Sequence, residues 1–130
     1  MKGNVMPNLP PDVSKAWDNH NGPVVLTTVD GDGHPNSIYV SCVGKFAEDT
    51  LVVADNLFDK TQRNILHGSQ GAILFITKDN KAFQVKGPLT YHRSGPIYED
   101  MKKWNPTPQP GRAAAALTVE KVYSGAKELL

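Results

Sequence analysis

A chain of 130 residues with 14 basic and 13 acidic side chains, net charge +1, is sized for one domain with its own hydrophobic core. That balance excludes a dedicated nucleic-acid binder, which would carry a strongly basic stripe. One cysteine excludes an internal disulfide, and neither a signal-like start nor a run of about 18 apolar residues occurs, so a soluble, cytoplasmic protein is expected.

Met1–Pro10 reads as a loose lead-in rich in Pro and Asn. Pro11–Asn19 suits a short helix, with proline in its first turn and Asp12 favourable to the dipole. The β-branched stretch Gly22–Asp30 reads as a strand ending at the tight turn Asp30–Gly33. Residues 34–46 continue as a second strand, with Ile38, Val40 and Cys42 on one face and Ser37, Tyr39 and Ser41 on the other. After a turn at Ala47–Asp49, Thr50–Asp55 is a third strand.

A helix over Lys60–His67 follows, stopped by Gly68. Residues 71–77 and 81–92 are two more strands, joined through Asp79 and Asn80. Gly95–Trp104 places Pro96 and acids early and lysines late, as a helix prefers. Prolines make Asn105–Gly111 a loop. Arg112–Ser124 is ambiguous: its alanines favour helix, but the alternation after them favours strand, and strand is preferred. About six strands at hairpin spacing, with short helices inserted, predict a mainly β, α+β chain folded as an antiparallel barrel.

The stretch "DNLFDKTQRNIL" carries the first chemical signal. Asp59 is a good N-cap, and Gln62 completes a capping-box pattern. Lys60 and Thr61 then fall in a first turn whose N–H groups lack intrahelical partners and where the dipole is electropositive. An ammonium and a hydroxyl there suit a phosphate monoester. Capped surface helices are commoner than anion sites, so the pair alone leaves both meanings open.

The polar face Ser37, Tyr39 and Ser41 is either solvated or set against a planar ligand. Gly87 interrupts a strand and marks a bulge or a close backbone approach. Gln84, nearby, is either an amide partner for a ligand edge or simply an outward polar residue. The four histidines show no metal-ligand spacing, Cys42 reads as an inert inward thiol, and "DGDG" reads as a turn without the remaining ligands of a calcium loop.

Taken in order, "VLTTVDGDGHPNSIYV", "DTLVVADNLFDKTQRNIL", "GAILFIT" and "FQVKGPLTY" resemble the FMN-binding split-barrel family related to pyridoxamine 5′-phosphate oxidase, above all its small one-domain members. The likeness spans roughly Gly22–Tyr91 and the terminal strand. It implies a six-stranded antiparallel split barrel, a homodimer, and one FMN near each end of the subunit interface. Residue by residue it implies phosphate contacts from Lys60 and Thr61, and a wall along the flavin and ribityl chain from Ser37, Ile38, Tyr39, Val40 and Ser41. Ala54 and Asp55 would line the site, and Gln84 would contact the ring or ribityl chain. Trp104 falls where some small members place an aromatic beside the flavin.

The pattern also departs from the family. Ser37 and Asp59 stand where basic residues are usual, and Asp59 would repel phosphate unless its carboxylate turned back to cap the helix. No arginine follows Arg112, where the oxidases proper carry a basic substrate-gripping segment, so vitamin B6 oxidation is not the expected activity. The function implied is an FMN-dependent redox protein, oxidoreductase or electron carrier, with no obvious acid–base catalyst and an unidentified redox partner or small-molecule substrate. The alternatives are a non-enzymatic binder of another flavin-like cofactor or haem on the same barrel, or a dimeric scaffold without ligand. No metal site, nucleic acid or membrane contact is expected.

Overall fold

The computed structural model describes residues 7–130, so most of the Met1–Pro10 lead-in lies outside the described residues. Its end is not loose: Leu9 is buried in the core and its N–H donates to Glu48 O. Helix α1 (Pro11–Asp18) follows and packs Val13 and Trp17 into the same core, with the Trp17 ring edge-on to Phe75 at 5.1 Å.

The strands are β1 (Val24–Val29), β2 (Pro35–Val40), β3 (Val43–Ala47), β4 (Thr50–Asp55), β5 (Gln70–Ile76), β6 (Ala82–His92), β7 (Ala113–Thr118), β8 (Lys121–Ser124) and β9 (Lys127–Glu128). All pair antiparallel, in the order β2-β1-β5-β6-β7-β4-β3, with β8 added beside β6 and β9 beside β8. β2 and β3 stand at opposite ends of that order, yet only Ser41 and Cys42 separate them in the chain. The strip must therefore curl until its ends meet, closed by covalent chain instead of ladder hydrogen bonds. This is a split barrel.

Among the described residues nine strands replace the six expected, for three reasons. The segment 34–46 breaks at Ser41–Cys42, where the chain leaves β1 as its partner and joins β4. Residues 112–124 break at Val119 and Glu120, whose N–H groups donate to Asp49 O and Lys86 O, and the tail adds β9. The face assignment of Cys42 fails with the first break: it is half-buried and packs with the cluster outside the barrel, not within it.

β4 and β7 show why an alanine run makes a strand here. Leu51, Val53, Ala115 and Leu117 point into the barrel core, while Val52, Ala54, Ala114 and Ala116 face helix α3 (Pro96–Trp104) and its fully buried Met101. Both faces are covered, so the strands read as continuous apolar runs, and the small alanines admit the helix closely. Gly87 is the close approach anticipated. β6 exchanges β5 for β7 as its partner just beyond it, and a Cβ at that position would lie 1.7 Å from Thr118 O.

Candidate functional site: a cleft at the barrel seam

The covalent seam creates a cleft of about 340 Å³. Its walls are Ile38–Cys42 from the β2–β3 passage, Ala54 from the end of β4, Asn56–Phe58 from the following loop, and Gln109 from the proline-rich loop. Ala54 N donates to Cys42 O at 2.9 Å, which holds the two chain passages together behind the opening. Helix α2 (Lys60–Leu66) begins just past Phe58.

The expected capping box at α2 does not form. The Asp59 carboxylate reaches forward to Arg63, and the Gln62 amide donates to the Tyr91 hydroxyl at 3.0 Å. No side chain caps the helix start, so its first N–H groups, which a helix cannot satisfy internally, are left to solvent or a ligand. The Arg63 pairing offsets the negative charge of Asp59 beside Lys60, which is exposed. Thr61 is buried, and its hydroxyl accepts a hydrogen bond from the Asn36 amide at 2.9 Å.

A polar network fixes the loop behind the cleft. Asp55 is fully buried and accepts from Phe58 N at 2.8 Å, from Arg112 Nη2 at 2.9 Å, and from the Tyr91 hydroxyl. Arg112 also donates to Phe58 O at 2.7 Å. Burial, and the Asp55 carboxylate taking its hydrogen, push the Tyr91 phenol above its ordinary value, so it remains a donor. The same carboxylate raises the Arg112 guanidinium. Asn56 joins this loop to the proline-rich one: its amide exchanges hydrogen bonds with Asn105 and accepts from Gly111 N at 2.9 Å.

These features lie on a family framework. A family model described as pyridoxamine 5′-phosphate oxidase matches residues 11–125. The chain belongs to that family. This member of the pyridoxamine 5′-phosphate oxidase family shares its fold with solved structures of low sequence identity. HupZ of Group A Streptococcus is 21% identical, covering 89% of this chain and 93% of its own, at a TM-score of 0.77. An FMN-binding protein from Syntrophomonas wolfei subsp. wolfei is 21% identical over 84% and 80%, at 0.72. An F420 reductase is 17% identical over 81% and 91%, at 0.62. No curated protein matches the chain.

Within this family member, Ile38, Tyr39, Val40, Ser41 and Ala54 line one cleft, and Lys60 and Thr61 stand beside it. Asp55 lies behind the wall, its carboxylate committed to internal donors. Ser37 points to the outer sheet face, where its hydroxyl meets that of Thr27 at 2.8 Å. Gln84 sits on β6 between Leu74 and Tyr123, three strands away from Tyr39, and is not brought to the cleft. Trp104 is not there either. Its ring lies over Gly44, where a Cβ would come within 2.7 Å of it, and its Nε1 donates to Asp100.

Sequence reasoning missed Cys42, Asn56, Leu57, Phe58 and Gln109 as lining residues. The loop residues were contiguous with Asp55 and Lys60, which was the available signal. Gln109 had only the prolines around it. A larger hollow of about 700 Å³ lies between α1 and the β5–β6 turn, but its lysines and aspartates balance on an exposed rim and converge on no point. The tight turn expected at Asp30–Gly33 forms, and Asp30 Oδ1 accepts from His34 N and from Asp32 N, each at 2.9 Å, which holds its carboxyl below the usual range. No helix among the described residues is long and apolar enough to cross a membrane.

Proposed function

We propose that this chain is an FMN-binding redox protein, an oxidoreductase or electron carrier, that holds the cofactor in the seam cleft. One observation carries the reading: five of the positions implied by the family resemblance line a single cleft that adjoins an uncapped helix start bearing Lys60. The residues suit the group. Ile38, Val40, Ala54 and Phe58 offer apolar wall to a flat ring. Lys60 offers a charge-assisted contact to the phosphate, and Thr61, whose hydroxyl is committed to Asn36, offers its backbone N–H. FMN would supply the redox chemistry, and the chain would bind it, orient it and limit its contact with water.

The homodimer belongs to the same proposal. Tyr39, Val25, Leu74, Gln84 and Tyr123 form one cross-strand row on the outer sheet face, and Val29 and Ile76 share that face. Tyr39 is 79% exposed, and Leu74, Ile76 and Val29 are 45%, 40% and 38% exposed. A second copy closing over this face would cover those side chains, set the cleft at the interface edge through Tyr39, and bring Gln84 within reach of a cofactor held by the other subunit.

The likeness to an F420 reductase favours, as a second reading, another flavin-like cofactor in the same cleft. Haem is less well served, because no histidine is among the lining residues. The absorption spectrum of the purified protein tests the proposal. Flavin bands, with FMN as the released chromophore, are expected. Colourless protein that takes up no added FMN would overturn it.

A further inference from the structure

Gln109 is a polar lining residue of the cleft to which neither the sequence pattern nor the reading above gives a task. Gln109 stands on the loop Asn105–Gly111, which is held at both ends. The paired amides of Asn56 and Asn105 fix its start. Gly111 N on Asn56, together with Lys102 Nζ donating to Pro110 O at 3.1 Å and Gly111 O at 3.3 Å, fixes its end. Between the anchors, Pro106, Pro108 and Pro110 restrict the backbone, and Gln109 N closes a turn onto Pro106 O at 2.9 Å. Such a loop delivers its tip to one place at little further entropic cost.

The polar character of the lining points to what that tip does. Asn56 is the other amide in the cleft, and its oxygen already accepts two hydrogen bonds while its nitrogen donates one. Gln109 is exposed, and its amide offers a carbonyl oxygen and an NH₂ group side by side. A ligand edge that matches this pair must present an N–H beside a C=O. The imide edge of a flavin has that arrangement, whereas a haem edge or a carboxylate does not.

We propose that Gln109 is a specificity-determining residue of the cleft, pairing its amide with the imide N–H and carbonyl of the flavin ring. The inference rests on the flavin reading above: with the phosphate at Lys60, the rest of the cofactor enters the space that Gln109 borders. Gln109 then selects among planar ligands, while Lys60 selects for the phosphate.

The test is a chemical cycle on the full chain. Dissociation constants for FMN and for FMN methylated at the imide nitrogen are measured by flavin fluorescence for the parent protein and for Gln109→Ala. The substitution lies on an exposed loop tip, and an unchanged thermal melt verifies the fold. FMN binding is expected to weaken on the order of tenfold, the worth of one or two neutral hydrogen bonds. The methylated flavin, which has lost the imide N–H and keeps only the carbonyl acceptor, is expected to lose distinctly less affinity on the substitution than FMN does. Unchanged FMN affinity in Gln109→Ala, or an equal loss for both flavins, overturns the role of Gln109 and leaves the flavin reading standing. Failure of the parent protein to bind either flavin overturns both.

Discussion

The side-chain amides of Asn56 and Asn105 face each other and exchange two hydrogen bonds, of 3.1 and 2.9 Å, across 49 positions of the chain. This pair, and not the strand ladder, joins the loop that leads to Lys60 with the loop that carries Gln109. Asn105 is buried, so removing its partner leaves a polar group without water or protein to satisfy it. Asn56→Ala is expected to cost about 1–3 kcal/mol in urea unfolding. It should also speed hydrogen exchange at the Gly111 amide, which donates to Asn56. An unchanged exchange rate there would show that the loop is held by other means.

Lys60→Ala removes the cation at the uncapped start of α2. A charge-assisted phosphate contact is worth about 1.5–3 kcal/mol, so FMN affinity is expected to fall roughly ten- to a hundredfold. Riboflavin, which has no phosphate, should bind the variant and the parent equally. Equal FMN affinity for the two proteins removes Lys60 from the site.

Tyr91 makes stability depend on alkaline pH. Its folded-state value is raised by burial and by the Asp55 hydrogen bond, above an unfolded value of about 10. The contribution is therefore complete below about pH 10 and is lost as pH climbs through the folded value. Tyr91→Phe leaves Asp55 short of a donor and is expected to cost about 1–3 kcal/mol near neutrality. The gap between parent and variant should narrow as unfolding is followed from pH 8 to 11. A constant gap would mean that the phenol does not titrate with folding.

Gly87→Ala would set a methyl group 1.7 Å from Thr118 O, which the rigid β7 strand cannot yield without shifting. A destabilisation of about 1–3 kcal/mol or more is expected. Gly31→Ala meets open space in the β1–β2 turn and should change stability by less than about 0.5 kcal/mol. Comparable effects at the two positions in thermal unfolding would contradict the close approach.

Much of the architecture was readable before any coordinates. Period-two alternation in β2, the strand-like runs that form β5 and β6, the turn residues between them, and the anomalous Gly87 follow from local steric and burial rules, and these act over a few residues. Two expectations failed because their cause was not local. Residues 34–46 form an unbroken alternating run, and only the transfer of the chain from β1 to β4 interrupts it. Asp59 and Gln62 have the right spacing for a capping box, but Arg63 and Tyr91 compete successfully for their side chains.

The sequence alone determined the β class, the antiparallel order of the hairpins and the position of the helix start that carries Lys60, because periodicity, turn chemistry and helix signals reside in neighbouring residues. Only the tertiary structure decided which of those pieces share a cleft. Closing the strip at Ser41–Cys42 brought Ile38–Cys42 against Ala54 and Gln109, and left Ser37, Gln84 and Trp104 outside. Contact between residues so far apart in the chain is set by how the whole sheet curls, and no short window of sequence encodes that curvature.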